Sequence, residues 1–568
     1  MRKFNTTIWV VCAFFCSLPL FNSSAQELKW VNQFGAMQLQ ESRDITVDGS
    51  GNVYTVGYFE NTVDFDPGVG VFNLTAVGGR NLFVSKLNSD GEFIWALTSG
   101  GSGSNEATSI YIDANGDIFL TGYYQGTVDF DPGVGVSEFT SEGSYDVYVM
   151  KLNSSGDLIW VKTLGGTSVD TGNSIYADSE GVYVTGRFQG TMDFDPSTST
   201  TFELTPSGLV DMFILKLDIN GNFGWAKSFG ATGANIGEAI VVDASHNIYT
   251  LARFNGVIDF DPSAAVSNLT AFGSTDAVIL KLDNNGNFIW AKQMGGSSTE
   301  EPSEMVIDNG GNIYTTGYFS GTADFDPSAS TVSLTSVGGF DAYATKMDLD
   351  GNLIWAKKVG SSKNVDSKSI DVDNSGNVYI SGHYTQTLDA DPLNNVVALP
   401  SYGLDDVFAA KLNSNGDLIW TTHFGGDQGD YGRGIAVNKV TAEIYVTGAF
   451  QSTADFDILP TVAQLVSFGD RDAFVLKLDN GILSSNQIDE VSNFSIFPNP
   501  ALNELNIKSD HQIDNIQVYD LSGKQIKSWD FESTQSYYTI QIDFLDNGTY
   551  MLKTTSDSET KFSKFVKR

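Results

Sequence analysis

Three observations in the 568-residue chain predict an all-β fold. Tryptophans at positions 30, 95, 160, 225, 290, 355 and 420 recur at an unbroken interval of 65 residues, which marks internal repetition. Between them lie short runs rich in β-branched and aromatic residues, alternating in polarity and separated by Gly, Asn and Asp turns. The last copy stops at Lys477-Leu-Asp-Asn-Gly481 without its closing Gly-x-x-x-Trp strand, whereas the segment Glu27 to Gly35, with Trp30, supplies such a strand at the other end. Four or five strands fit in one 65-residue unit, which is the content of one propeller blade. Together these features predict a seven-bladed β-propeller closed by the N-terminal strand and followed by a small Ig-like β-sandwich.

The chain opens with Arg2 and Lys3, an apolar stretch from Ile8 to Leu20 and the small residues Ser23-Ser24-Ala25. This is the layout of a signal peptide over residues 1–25, cleaved after Ala25. Both cysteines, Cys12 and Cys16, fall inside it, so the expected mature chain has neither disulfides nor thiol chemistry. Phe14-Phe15 before Cys16 makes a poor lipidation signal, because the residue before a lipidated Cys should be small. No later stretch reaches the roughly 18 apolar residues of a membrane span, so no transmembrane segment is expected in the mature chain.

Residues 26–483 are read as the propeller. The first unit runs Asp44-Ile-Thr-Val-Asp48, Gly51-Asn-Val-Tyr-Thr-Val-Gly57-Tyr-Phe59, Thr62-Val-Asp-Phe-Asp-Pro67, Leu82-Phe-Val-Ser-Lys-Leu87 and Gly91-Glu-Phe-Ile-Trp95. One such unit cannot bury both of its faces, so neighbours must stack. A strand donated from the N-terminus removes an open sheet edge that would otherwise invite aggregation. The repeated Trp is read as structural: burying roughly 150–250 Å² of aromatic surface at ~25 cal/mol per Å² is worth about 4–6 kcal/mol per blade. The succession Asp-x-x-Gly-Asn-Val-Tyr, Asp-Phe-Asp-Pro, Lys-Leu-Asn and Gly-x-x-x-Trp resembles the SBBP-type β-propeller repeat of bacterial exported proteins. That resemblance implies a fold and an exported setting, and it specifies no activity.

After a polar linker at 484–491, residues 492–568 open on Pro498-Asn499-Pro500 and continue through Tyr519-Asp-Leu-Ser-Gly523-Lys and Gly548-Thr-Tyr550. The order of these motifs resembles the type A C-terminal sorting domain of type IX secretion. The resemblance implies a type IX secretion machinery as partner and a secreted or outer-surface location in a Gram-negative bacterium.

A formal net charge of −37 repels phosphate backbones, which argues against nucleic acid as a partner. The acidic residues also supply a candidate metal set. Each copy carries an Asp-x-Asp pair: Asp64/Asp66, Asp129/Asp131, Asp193/Asp195, Asp259/Asp261, Asp324/Asp326, Asp389/Asp391 and Asp455/Asp457. On an extended strand residues i and i+2 share a face, so two carboxylates there offer hard oxygen ligands for Ca²⁺. The competing reading is that they cap backbone N–H groups of the following turn. No His-Glu-x-x-His or other catalytic motif occurs among the four histidines.

Function in a propeller is expected where the copies differ. One such position follows the second-strand Gly and reads Tyr58, Tyr123, Arg187, Arg253, Tyr318, His383 and Ala449. These residues, Ala449 apart, are candidates to line a site for a polysaccharide or an extracellular protein. The loops after Gly-Gly are expected to bring Glu106, Asp170, Glu300, Glu301, Asp366, Asp427, Asp430 and Tyr431 to one rim. The reading that emerges is an exported binding, adhesion or scaffold module. Its alternatives are a Ca²⁺-stiffened structural surface protein and a secreted polysaccharide hydrolase or lyase.

Overall fold

The computed structural model describes residues 27–390, 398–457 and 463–479, and in the C-terminal segment 495–497, 501–508, 513–519, 524–531, 537–555 and 560–568. The expected leader with its cleavage point after Ala25, Asp391, the 484–491 linker, Pro498, Asn499, Pro500 and Gly523 lie outside the described residues. Among the described residues every regular element is a strand, and no helix is long and apolar enough to cross a membrane. The chain divides into two units, Met1–Gly481 and Ile482–Arg568.

In the first unit each repeat makes an antiparallel four-stranded sheet in chain order. The first repeat pairs Gln40–Val47, Val53–Phe59, Asn81–Leu87 and Phe93–Thr98. The same order recurs from Ser104–Ile112 to Leu158–Gly166, from Thr171–Asp178 to Phe223–Phe229 and from Ile236–Val242 to Phe288–Gly296. It recurs again from Glu300–Ile307 to Leu353–Ser361 and from Val365–Val372 to Leu418–Gly426. The strands Tyr431–Val437, Ile444–Phe450 and Asp472–Leu478 find their fourth partner at the far end of the chain. Leu28–Phe34 pairs with Asp472–Leu478, placing Phe34 opposite Ala473 and Trp30 opposite Lys477.

The two middle strands are apolar on both faces because neighbouring sheets cover both. Val53–Phe59 and Asp472–Leu478 are buried along their whole length. One core cluster joins Phe34, Ala473 and Tyr445 to Ile45, Val53 and Phe65, so side chains from the two ends of the unit share a single apolar interior.

The repeated Trp links neighbouring repeats in several copies, while the Trp290 indole N–H has no hydrogen-bond partner among the described residues. Trp160 Nε1 donates to Ile219 O at 3.2 Å, Trp225 to Asn284 O at 3.2 Å and Trp355 to Ser414 O at 3.1 Å. In each case the acceptor lies in the hairpin turn of the next repeat. Trp30 makes the same bond to Ser89 O at 3.2 Å, so the contact between the last sheet and the first repeats the contact between consecutive ones. The turn must be open for the ring to approach. At Gly91, φ is +80° and a Cβ would lie 2.8 Å from Trp30, so backbone conformation and packing both demand glycine.

Every first strand carries a bulge, for example between Ser42 and Asp44 and between Pro302 and Glu304. Opposite it stands the second-strand glycine, replaced by Ala252 in the fourth repeat. A Cβ at Gly57 would lie 2.0 Å from Glu41 O, and one at Gly122 2.0 Å from Glu106 O, so close backbone approach explains the glycine in a strand interior.

The second unit holds two antiparallel sheets, one of Ser495–Phe497, Glu504–Lys508 and Tyr537–Gln541, the other of Gln525–Asp530, Asn515–Tyr519, Gly548–Thr555 and Thr560–Lys567. Leu505, Ile507, Ile516, Val518, Ile540, Leu552 and Phe565 from both sheets form one core. Tyr550 stacks on Phe565 with centroids 5.7 Å apart, and its hydroxyl donates to Asp546 O at 2.9 Å.

Candidate binding site

The bulge positions one residue of each first strand out of register, and these residues converge. Arg43, Thr108, Asn173, Glu238, Ser303, Lys368 and Arg433 all line one cavity of about 520 Å³, to which every repeat contributes. The second strand supplies the next layer. The residue after its glycine lies directly across from the first-strand residue two before the bulge: Tyr58 faces Glu41, Tyr123 faces Glu106, Arg187 faces Thr171, Tyr318 faces Glu301 and His383 faces Asp366.

Of the residues singled out from the sequence, Tyr123, Arg187, Arg253 and Tyr318 line the 520 Å³ cavity. His383 lines an adjoining cavity of about 280 Å³ together with Tyr318, Asp366 and Asp405. Tyr58 is buried beside the first cavity, with the guanidinium carbons of Arg80 and Arg43 at 4.4 and 5.4 Å from its ring centroid. Ala449 is fully buried.

The cavity wall is an ion-pair network. Arg43 pairs with Glu41 at 3.0 Å and Glu106 at 2.6 Å, and Glu41 also takes Arg433 at 2.6 Å. Tyr58 and Tyr123 donate their hydroxyls to Glu41 at 3.1 Å and Glu106 at 2.8 Å. Arg253 bridges Glu238, at 3.1 Å, and Glu301, while Lys368 pairs with Asp366 at 2.7 Å. Burial disfavours the Glu41 carboxylate, yet Arg433, Arg43 and the Tyr58 hydroxyl overcome it and hold its pKa below the usual value. Burial pushes Glu238 up to about 7 against the pull of Arg253. His383 is driven well below its ordinary pKa by burial and by the nearby Arg433 and Lys368 charges, so it is neutral at pH 7. Arg187 differs from its neighbours: it lines the cavity and has no ion pair or side-chain hydrogen bond among the described residues.

The expected rim divides in two. Glu106 and Glu301 line the cavity and Asp366 its neighbour, and Tyr431 packs edge-on against His383 at 5.0 Å. Asp170, Glu300 and Asp430 are instead buried, accepting the backbone N–H of Gly166, Gly296 and Gly426 at 2.8, 2.9 and 2.7 Å. Asp427 is exposed. The residues the sequence did not nominate are Arg43, Glu238, Lys368 and Arg433, the bulged charges. A signal existed. The chain has eight arginines, and Arg43 and Arg433 share one phase of the repeat while Arg80 and Arg471 share another to within a residue.

The Asp-x-Asp pairs sit elsewhere, on the short hairpins after each second strand. Asp64 Oδ1 accepts from Asp66 N at 3.1 Å and Phe72 N at 2.7 Å, and Asp66 Oδ1 from Gly68 N at 2.8 Å. Asp129 and Asp131, Asp193 and Asp195, Asp259 and Asp261, and Asp324 and Asp326 repeat this pattern. Asp455 accepts from Asp457 N at 3.1 Å and Ala463 N at 3.3 Å. The intervening Phe65, Phe130, Phe194, Phe260, Phe325 and Phe456, with Ala390, are buried. Among the described residues no three His, Cys, Asp or Glu side chains cluster so as to hold a metal ion.

Comparison with known proteins locates the tail first. Residues 495–568 match the secretion system C-terminal sorting domain, which supports a secreted or outer-surface destination. The chain is similar to an uncharacterized WD repeat-containing protein of Acanthamoeba polyphaga mimivirus, 22% identical over 480 residues, covering 70% of this chain and 34% of that protein. It is also similar to the regulatory protein FlaEY of Caulobacter vibrioides, 22% identical over 306 residues, covering 50% of this chain and 30% of that protein. The chain thus spans about a third of the length of these relatives. A crystal structure of a protein of unknown function from Bacteroides caccae aligns over 60% of this chain and 89% of its own, at 9% identity and a TM-score of 0.29.

Proposed function

We propose that the protein is an exported binding module: a closed seven-bladed β-propeller whose cavity at one end of the central axis takes an extracellular ligand, delivered by type IX secretion of a Gram-negative bacterium. Closure is supported by the pairing of Leu28–Phe34 with Asp472–Leu478 and by the Trp30 bond that repeats the link between consecutive sheets. Relatedness to a WD repeat-containing protein agrees with a propeller. Delivery is supported by the sorting-domain match at 495–568 and by the signal-peptide layout of residues 1–25.

The observation that carries the binding reading is convergence. Packing positions repeat from copy to copy, such as the Trp at 65-residue intervals, while the bulged residues differ and meet in a single cavity with Tyr123, Arg187, Arg253 and Tyr318 from the second strands. A concave site with mixed aromatic and charged walls, in the usual range of about 300–1,000 Å³, suits a small ligand or one unit of a polymer.

The test is thermal unfolding of the purified secreted chain across panels of polysaccharides and envelope proteins. A ligand held at 100 times its dissociation constant adds about 2.7 kcal/mol of stability, a clear rise in melting temperature. Tyr123→Ala is expected to weaken that ligand at least tenfold. Binding that no cavity substitution alters, or no binding across the panels, would sink the reading.

A further inference from the structure

The arginines of the chain are concentrated at the cavity to a degree the overall composition does not suggest. The chain carries eight, two of them near its ends, Arg2 and Arg568. The other six are Arg43, Arg80, Arg187, Arg253, Arg433 and Arg471. Four of these line the 520 Å³ cavity, and Arg80 and Arg471 lie over the rings of Tyr58 and Tyr431, each with its guanidinium carbon 4.4 Å from the ring centroid. Elsewhere the protein is strongly acidic, at −37 overall.

The charged groups of the cavity wall balance in number but not in pairing. Five cationic side chains line it, Arg43, Arg187, Arg253, Lys368 and Arg433, against the lining carboxylates Glu106, Glu238 and Glu301 and the carboxylates Glu41 and Asp366 that pair with Arg43, Arg433 and Lys368. Most of the cations are engaged by protein carboxylates, which fixes their positions. Arg187 is not: Thr171 stands opposite it on the neighbouring strand, where Tyr58, Tyr318 and His383 each face a carboxylate. A guanidinium without an ion-pair partner in a confined cavity is a bidentate receptor for a planar or tetrahedral anion.

We infer that the ligand of this cavity is an anionic sugar, a carboxylate- or sulfate-bearing unit of a polysaccharide, with its acid group on Arg187. This rests on the binding reading above. A sugar is favoured over a simple anion by the rest of the wall. Glu106, Glu238 and Glu301 are acceptors for hydroxyl groups, Tyr123 and Tyr318 offer rings and hydroxyls, and Thr108, Asn173 and Ser303 give both donors and acceptors. An isolated anion would use the guanidinium and leave the carboxylates unused, whereas a hydroxyl-rich ring with one acid group uses both. The surrounding negative field opposes a long polyanion lying across the surface, so recognition is confined to a single unit or chain end entering the cavity.

The experiment titrates the full secreted chain with three short oligosaccharides of equal length: oligogalacturonate, its methyl ester, and a sulfated neutral galactan. Binding is read by calorimetry at two salt concentrations. Expected are binding of the galacturonate or the sulfated oligomer, at least tenfold weaker binding of the neutral ester, and weakening at higher salt. Arg187→Ala should lower affinity for the acidic oligomer at least tenfold with little change in melting temperature, because no ion pair or hydrogen bond is lost and only its weaker pull on Glu238 goes, and Arg187→Lys should restore part of it. Preference for the carboxylate or the sulfate arm identifies the acid group. Equal binding of the ester and the acid would overturn the anionic assignment while leaving the cavity a binding site. Tight acidic binding unaffected by Arg187→Ala would overturn the placement of the acid group. Failure of all three oligomers, where the wider panels find a neutral glycan or a protein, would also overturn the anionic sugar and leave the binding module standing.

Discussion

Glu41 is the side chain on which the cavity wall depends most. It is 4% exposed, lies in the first repeat, and holds Arg433 of the last repeat and Arg43 of its own, with the Tyr58 hydroxyl as a third partner. Removing its charge leaves Arg433 without its ion pair and Arg43 with Glu106 alone, and breaking a buried pair costs about 3–5 kcal/mol. Glu41→Gln keeps the shape and removes the charge, so it is expected to destabilise by about 3 kcal/mol, at the lower end because Arg43 and Arg433 keep some solvent. Chemical denaturation of the variant at pH 7 checks this, and a loss below about 0.5 kcal/mol would mean the pair is a surface ornament. Other residues show how far a sequence reaches at this scale. Tyr58, Tyr123 and Arg187 share a repeat phase to within a residue, and that phase is visible in the chain. Glu300 and Glu301 are adjacent in sequence but point to opposite faces of one strand, one buried on a backbone N–H and the other on the cavity. Sequence spacing placed both on one rim because the loop and strand boundary at Glu300 could not be located without the fold.

At the scale of elements, the strand Leu28–Phe34 has the largest task for its length. It covers the edge of Asp472–Leu478 and inserts Phe34, fully buried and stacked on Phe65 with centroids 5.3 Å apart. A chain beginning at residue 36 would expose that edge and open a cavity where Phe34 was. Deleting a large buried aromatic alone costs about 3–5 kcal/mol, and the bare edge adds a route to intermolecular pairing. The truncated protein is expected to melt lower and to associate with rising concentration, and a synthetic peptide of residues 27–35 added in trans should reverse both. An unchanged melting temperature would show that the strand is dispensable. This element was legible because the Gly-x-x-x-Trp strand missing from the last copy stands in plain view near the N-terminus. The first-strand bulges were not. A bulge sets two residues against one and shifts the alternation by a residue, which in a short strand cannot be told from a loop, so Arg43, Glu238, Lys368 and Arg433 went unnominated. The second-strand glycine was the trace left by six of the seven, since close backbone approach favours it; the fourth repeat carries Ala252 there.

For the molecule as a whole, the distribution of buried carboxylates sets the response to pH. Burial raises Asp44, Asp146, Asp170 and Asp472 to about 6, Glu238, Asp406 and Asp430 to about 7, and Glu300 and Glu304 to about 8. In Glu300 and Asp406 one carboxylate oxygen is buried with no hydrogen-bond partner among the described residues. In an unfolded chain such groups titrate near 4. A folded pKa above the unfolded one means that the folded state holds the proton more tightly. The stability these groups lend is therefore full below about pH 4 and drains away as pH rises through 6 to 8. The turn aspartates work in the opposite sense. Burial disfavours the charged forms of Asp243, Asp308 and Asp373, but hydrogen bonds from Asn247, Asn312 and Asn377 outweigh it and lower their pKa values, so their stability is lost as pH falls below about 4. Between these two sets the melting temperature should peak near pH 4, fall as pH rises toward 8 and level off by pH 9. Repulsion among surface charges has the same sign, since the chain carries −37, but added salt screens it and leaves the buried groups untouched. A decline from pH 5 to 9 that survives 0.5 M salt would therefore assign the effect to the interior. Glu300→Gln separates the two further: it should leave stability nearly unchanged at pH 4 and raise it at pH 9, where the native carboxylate must be charged beside Gly296 in the core. A melting temperature that is flat or rises from pH 5 to 9 would show that these carboxylates reach solvent, and the close-packed repeat interface would need to be redrawn around them.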